Sequence, residues 1–436
     1  MNSYKFTLKQ YRAVSKADIE LNGITVLAGE NGAGKSTITR WLYYLVDVIS
    51  KYDQYAYSDL QRDIYMHLFD FKMAFRDTRM SDNNILASIQ RWDNMSESLE
   101  YPNENIVATI VQEARDIVIR VGDYIQSNTE HTNRSNNRLA RLMLFLEIED
   151  NKKFDYVQFV NKYIQRIDAS YDEYSKKIKN RSLENLYDYI AEHYDQSIKR
   201  PSNMQFLEDK VPILEKKTFG HLLGLPRTIY IDTPMAVGYS SDNTLWDSLS
   251  ELLNKNSDAS LSLETKKMLV RIQHIIHGSI RFEEDDMNDD DLRYVRDDDL
   301  NIPISEAATG IKSFAYIIRL LENGYLNRNT LLIIDEPEAH LHPQWIVAFA
   351  RILVLLTKKL GVRILIASHN PDMVAAIQSI GDKEGIKEMI TFYQAYQSEN
   401  PYQYEYKNLG FEITEIFKSF NIAISRIQDY GSADNK

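Results

Sequence analysis

Eight consecutive residues, Gly29-Glu30-Asn31-Gly32-Ala33-Gly34-Lys35-Ser36, restrict what this 436-residue chain can fold into more than any other stretch. An apolar run, Ile24 to Ala28, precedes them and reads as a buried parallel strand. Thr37 to Leu45 follows with its apolar residues at helical spacing. Strand, glycine turn and helix, in that order, are the setting a Walker A phosphate loop requires. Gly29, Gly32 and Gly34 permit a tight turn whose N–H groups face inward at the positive end of the helix, where phosphates bind. Lys35 is spaced to reach the β and γ phosphates of a bound nucleotide, and the Ser36 hydroxyl to sit on Mg2+. Glu30, Asn31, Ala33 and Thr37 complete the candidate nucleotide-binding stretch.

A second stretch completes such a site. Thr330 to Ile334 is an apolar run ending in Asp335-Glu336-Pro337, the Walker B pattern, some 300 positions beyond Lys35. Asp335, at the carboxyl end of that strand, is placed to carry Mg2+, and Glu336 to orient and deprotonate the attacking water. Taken alone, two carboxylates after a strand describe a solvated turn equally well; the phosphate loop upstream favours the site. Val362 to Ala367 reads as another buried strand, ending in Ser368-His369-Asn370-Pro371.

Composition sets limits. With 44% apolar residues the chain can bury a large core and carry two lobes. No apolar run approaches the roughly 18 residues of a membrane span, and the N-terminus lacks a signal pattern, so a cytosolic protein without a membrane partner is expected. The absence of cysteine excludes disulfides, thiolate metal sites and a cysteine nucleophile. A net charge of −12 opposes coating of nucleic acid, although much of it lies between Glu283 and Asp299.

The remaining patterns are coarser. Tyr4 to Arg12 and Ala17 to Leu21 alternate like antiparallel strands. Pro226 to Pro234 reads as a return strand, and Gly278–Phe282 with Leu292–Arg296 as a hairpin around Asp285, Asp286, Asp289, Asp290 and Asp291. That acidic tip reads as solvated, because it lacks the glycine and terminal glutamate of a calcium loop. Between the two halves the chain reads mostly as helix. Val157, Val160, Ile164, Ile167, Tyr171, Tyr174 and Ile178 follow heptad spacing, giving a seam that packs inside the insert or against a partner. Arg134, Arg138 and Arg141, with His131 nearby, and the cluster Lys176, Lys177, Lys179 and Arg181, are solvated faces or contacts for DNA, RNA or an acidic partner. Phe392 to Tyr396 reads as a last strand and Phe411 to Phe420 as an amphipathic helix.

A strand ending in Tyr11-Arg12, a second strand, a phosphate loop with Asn31, and Glu336-Pro337-Glu338 running on to Leu341-His342-Pro343 together resemble the ABC-type ATPase heads of the SMC, RecF and OLD-like (overcoming lysogenization defect) proteins. The resemblance implies an α/β P-loop head with N-terminal antiparallel strands, split by a large helical insertion: residues 1–46, 47–225 and 226–436. It implies ATP hydrolysis in a homodimer or higher homo-oligomer of heads. Arg12 would join the nucleotide site, His369 would touch the γ-phosphate, and Thr309-Gly310 would stand for the signature loop that closes on the ATP of the opposite subunit. Ile311 departs from that loop's second glycine, and Thr309 as a simple helix cap fits equally. His340 and His342 read as part of the dimer interface, with a metal site as the alternative. The stretch after His369 is too short for the Toprim nuclease of full OLD proteins. A separate effector, such as a nuclease, is therefore expected, as in Septu-like and PARIS-like antiphage systems. The rival readings are a RecF- or SMC-like clamp on DNA, and a scaffold that does not hydrolyse ATP.

Overall fold

In the computed structural model, which describes residues 2–77, 83–99, 102–130, 146, 155–195, 197–232, 244–255, 260–283, 291–339 and 341–418, the chain divides into two units. Met1–Ser50 with Leu186–Lys436 form one, and Lys51–Asn185 the other.

The first unit is built on a sheet of ten strands among the described residues. The alternating segments are β1 (Tyr4–Tyr11) and β2 (Val14–Leu21), antiparallel with Phe6 opposite Ile19. The apolar run is β3 (Ile24–Ala28), buried at every residue. A strand covered on both faces has no polar side to show, hence a run rather than an alternation. Then come β4 (Asn203–Glu208), β5 (Val211–Pro212), β6 (Arg227–Ile231), β10 (Thr330–Asp335), β11 (Arg363–Ser368), β12 (Ile390–Gln397) and β13 (Tyr404–Gly410), in the order β5-β4-β1-β2-β13-β12-β3-β11-β10-β6. A separate sheet holds β7 (Gly278–Glu283), β8 (Asp291–Arg296) and β9 (Asn301–Pro303), the first two being the expected hairpin.

The centre of the large sheet is parallel. β11 lies between β3 and β10, with Ser368 opposite Ala28 and Ala367 opposite Asp335. The phosphate loop, Glu336 and His369 therefore leave the sheet from neighbouring carboxyl ends. One face is covered by α6 (Thr244–Asn254), α7 (Leu263–Ile276), α8 (Thr309–Glu322), α9 (Pro343–Leu355) and α10 (Pro371–Lys383), whose Ile272, Phe314, Phe349 and Met373 share a core with Val26, Leu332 and Ile366. Each such buried side chain contributes about 1.5–3 kcal/mol, so the strand ends that carry the site rest on a closely filled layer. Helix α1 (Lys35–Asp77) begins at the loop; its Trp41 meets Tyr11, Tyr44 and Tyr187 edge-on.

The second unit is helical in its described residues: the part of α1 from Lys51 on, α2 (Asn83–Glu97), α3 (Glu104–Glu130) and α4 (Tyr156–Asn180). They enclose Phe71, Phe75, Trp92, Val118 and Ile167. Along the heptad seam Val160, Ile167 and Tyr174 are buried inside this unit, but Val157 is 64% exposed while Phe159 and Tyr163 are covered. A straight helix of 3.6 residues per turn drifts off a strict heptad, which moves the buried stripe sideways. In the basic cluster, Lys177 pairs with Asp59 at 2.8 Å and Arg181 with Asp53 at 2.7 Å, so half of it is engaged within the unit. Arg134, Arg138, Arg141, His131, His340 and Asp285, Asp286, Asp289 and Asp290 lie outside the described residues, as does the Asp291 side chain.

The stretch expected as one insertion, 47–225, divides: residues 51–185 form the helical unit, while 186–225 group with the head and supply β4 and β5 to its sheet. Helix α5 (Leu183–His193) crosses that boundary. No helix among the described residues is long and apolar enough to cross a membrane.

Candidate functional site

Leaving β3, the chain turns through residues 29–34 and closes on the first turn of α1. The Ala33 N–H donates to Glu30 O at 3.2 Å, and the Thr37 and Ile38 N–H groups donate to Gly34 O at 3.1 and 3.2 Å. Gly32 and Gly34 take φ of +82° and +88°, a region open to glycine at little cost. Gly34 is constrained twice, since a Cβ there would lie 2.8 Å from Val14 Cγ2. The same close approach sets the β1–β2 turn, and with it the exposed Arg12, against the loop; Arg12 has φ of 50° and stacks over Tyr11 at 5.5 Å. Glu30, Asn31 and Gly32 are exposed, Gly29 and Ala33 buried, Ser36 and Thr37 half-buried. From β13, the Tyr406 hydroxyl donates to Ala33 O at 3.1 Å.

The Lys35 ammonium is buried and donates to Gly29 O at 2.8 Å and Glu30 O at 3.0 Å. Burial lowers its pKa, against the opposing charges of Asp335, Glu336, Glu338 and Glu30. Two segments some 300 residues apart thus meet at one lysine.

Asp335 closes β10. Its Oδ2 accepts from the Tyr230 hydroxyl at 3.1 Å, and that hydroxyl lies 3.2 Å from the Thr39 hydroxyl on α1. Burial raises the Asp335 carboxyl above its usual range, against the nearby Ser36 and Tyr230 hydroxyls. Burial also lifts Tyr230 well above its usual range, which keeps it a donor at neutral pH. The other oxygen, Asp335 Oδ1, is buried without a hydrogen-bond partner among the described residues.

Glu336 follows in the left-handed region, φ 52°, which costs a residue with a Cβ about 1–2 kcal/mol. Its N–H donates to Ala367 O at 2.9 Å, stitching the turn to β11, and its Oε1 lies 3.3 Å from His369 Nδ1. Strain held at such a place is a mark of functional turns.

Glu338 is the residue whose part the motif did not disclose. Its carboxylate is buried, and Oε1 accepts from the Ser368 hydroxyl at 2.8 Å and from the His369 N–H at 3.0 Å. Burial raises its pKa. Glu338 Oε2 and His369 Nδ1 are also buried without hydrogen-bond partners among the described residues. Asn370 then caps α10 through its side chain, accepting from the Asp372 and Met373 N–H groups. The only signal in the sequence is the third letter of Glu336-Pro337-Glu338; its partners lie thirty residues on.

Thr309 and Gly310 are not drawn into this cluster by any hydrogen bond among the described residues. Thr309 is the first residue of α8, and Ala308, with no side-chain bond, occupies the cap position expected for Thr309. Gly310 lies under Trp345 of α9: a Cβ there would be 2.7 Å from Trp345 Cε3 and 3.2 Å from Leu341 Cδ2. Gly310→Ala is therefore expected to destabilise the fold, because about 1–3 kcal/mol of overpacking against a rigid ring outweighs at most about 1 kcal/mol of gained helix propensity. A melting temperature equal to or above that of the parent chain would show that Trp345 yields. His342 caps α9, its ring accepting from the Gln344 N–H.

The donor set suits the groups the sequence called for. A glycine turn at the N-terminus of α1 and a buried ammonium suit a polyphosphate. The Ser36 hydroxyl and the Asp335 carboxylate, whose Oδ1 has no hydrogen-bond partner among the described residues, are hard oxygen donors that suit Mg2+, which takes few protein ligands.

An SMC head domain with an extended coiled coil, bound to the C-terminal domain of ScpA, from Pyrococcus furiosus aligns over 98% of this chain and 100% of its own at 9% identity and a TM-score of 0.36. The SMC head domain from Thermotoga maritima aligns over 94% and 99% at 10% identity and 0.35. Scores this low leave the fold to stand on its own strand order. The chain is similar, 23% identical over 408 residues, to the "Retron Vc95 probable ATPase" of Vibrio cholerae serotype O1 biovar El Tor, covering 86% of this chain and 71% of that protein. Residues 1–374 match the family described as AAA ATPase domain (AAA_15). With most of its length and both halves of its nucleotide-site pattern inside that match, the chain belongs to the AAA ATPase domain family.

Proposed function

We propose that this chain binds ATP with Mg2+, hydrolyses it in a pair of heads bridged by nucleotide, and through that cycle regulates a separate effector, a nuclease or a toxic protein, in an antiphage defence complex. The observation that carries the reading is the convergence of Asp335, Glu336 and Glu338 on the buried Lys35 ammonium, with Asp335 Oδ1 and Glu338 Oε2 buried and without a hydrogen-bond partner among the described residues. Buried polar atoms are rarely left unsatisfied without a reason, and a bound nucleotide with its cation is one. The likeness to an ATPase named for a retron favours a part in a defence complex.

In this reading the amides of residues 29–36 and Lys35 bind the phosphates, with Glu30, Asn31, Thr37 and Arg12 beside them. Ser36 and Asp335 would hold Mg2+, which when bound neutralises charge on the phosphate oxygens. Glu336 takes a proton from the attacking water as its oxygen bonds to the γ-phosphorus and the bridging oxygen leaves with ADP. His369 reports the γ-phosphate. The Thr309–Gly310 segment of a second copy closes the site, and Tyr230 fixes one oxygen of Asp335 so that the other faces the cation.

The test is phosphate release by the purified chain together with light scattering. Release that needs Mg2+ and stops on chelation, with a dimer or larger assembly formed on ATP, is the expected result. A chain that stays monomeric and releases no phosphate with both present would overturn it. Co-purification with the products of adjacent reading frames tests the effector.

A further inference from the structure

Helices α7 and α9 leave between them an open cleft of about 830 Å³ on the first unit, in the size range of a ligand site rather than an ion site. Its lining is apolar in part, with Val270 and Ile275 from α7 and Val347 and Ala348 from α9, and His274 and Gln344 among them. Val270 is 66% exposed and Val347 49%. Its rim is cationic, with Lys266, Lys267 and Arg271 on one side and Arg351 on the other, and no carboxylate lines it. Lys267 is paired with Glu264 at 3.0 Å. Lys266, Arg271 and Arg351 make no hydrogen bond or ion pair among the described residues, and the two arginines share only the field of Glu384, itself bonded to Lys358 at 2.8 Å. On a chain with a net charge of −12 this is a local reversal of sign.

Two helices side by side, with valines four residues from their flanking cations, present the grooves and ridges that a third helix fills. We infer that this cleft docks an amphipathic helix of another protein, with one apolar stripe on Val270 and Val347 and carboxylates on either side facing Lys266, Arg271 and Arg351. Nucleic acid fits less well: the lining holds a single aromatic ring, His274, and a single amide, Gln344, where successive stacked bases need several rings, and it leaves Val270, Ile275, Val347 and Ala348 uncovered. Two of the chain's own segments also fit less well. Residues 419–436 carry no excess of acid, and the acidic stretch 284–290 has a single apolar residue, Met287.

The position of the cleft gives docking a consequence. Helix α9 begins at His342, directly after the Glu336–Glu338 turn, and its inner side presses Trp345 onto Gly310. A partner seated on its outer side therefore holds the helix that connects the Walker B turn to the Thr309–Gly310 segment. The inference deepens the proposed function by giving the partner's chemistry, and rests on it only for there being a partner.

The test uses the full chain, without nucleotide, and a labelled helical peptide with leucine at the first and fourth positions of each heptad and glutamate at the flanking ones. A scrambled peptide of the same composition is the control. Saturable binding by the patterned peptide alone, weakened about tenfold or more by Arg271→Glu with Arg351→Glu, is the expected result. Equal binding of the scrambled peptide, no binding, or displacement by a duplex oligonucleotide would overturn it. In cells, a photo-crosslinking amino acid at Val347 should label an acidic helical segment of a different protein, and lose it with the two arginine reversals. Labelling of residues 419–436 or of a second copy would overturn the assignment. Because binding is read without ATP, a chain that hydrolyses nothing can still take the peptide, and the two readings fail separately.

Discussion

Glu336→Gln is expected to cut phosphate release by at least about a hundredfold, the low end of what a positioned base supplies, while leaving ATP affinity within a few-fold. The substitution keeps the size of the side chain and the backbone bond from the Glu336 N–H to Ala367 O, so the left-handed turn should survive. What it removes is an acceptor for the water proton. Nucleotide then stays bound, and the bridged assembly should accumulate on ATP in light scattering. Retained turnover would take Glu336 out of the reaction and leave its strained backbone without a chemical reason.

Glu338 separates hydrogen-bond geometry from charge. Glu338→Ala strands the Ser368 hydroxyl and the His369 N–H, both of which now donate to Glu338 Oε1. Each buried donor left unpaired costs about 1–3 kcal/mol, and a shift of about 1.4 kcal/mol in the barrier is tenfold in rate. A fall of about ten- to a hundredfold in kcat is expected, with nucleotide affinity little changed and faster amide exchange in a peptide spanning Ser368 and His369. Glu338→Gln keeps an oxygen that accepts both bonds, so it should stay within about threefold of the parent chain and retain amide protection. If glutamine is as damaging as alanine, the carboxylate's charge is what matters, and its place is in the chemistry rather than in holding His369.

The parts of the fold that were legible in the sequence are those written in neighbouring residues. β3, β10 and β11 are continuous apolar runs because both faces are covered, and each ends in residues with a chemical signature: Gly29 onward, Asp335-Glu336 and His369. The antiparallel pair β1–β2 shows its alternation because one side is more open. β4 and β13 were hidden. Asn203–Glu208 has only two buried residues, and Tyr404–Gly410 only one; β4 joins the distant β1 as well as adjacent β5, and β13 pairs with its neighbour β12 and with the distant β2. The site was legible in the same way. Lys35, Ser36, Asp335 and Glu336 stand in short patterns, whereas Tyr230, Tyr406 and Glu338 act through partners on other elements that no local spacing announces. Gly310 stands in the expected place, yet what its missing Cβ visibly admits is this chain's own Trp345.

The order of strands also governs how the protein can be made. β3 leaves the ribosome well before both of its neighbours, β11 and β12, which come more than 330 residues later. The helical unit, Lys51–Asn185, is one uninterrupted stretch whose contacts are close in sequence, so it can condense while synthesis continues. The phosphate loop has to wait unsupported until β11 and β12 are out, since long-range parallel pairing is slow and leaves apolar strands open to aggregation in the meantime. Truncations that spare every motif residue but remove β12 should therefore yield insoluble protein rather than a smaller working head.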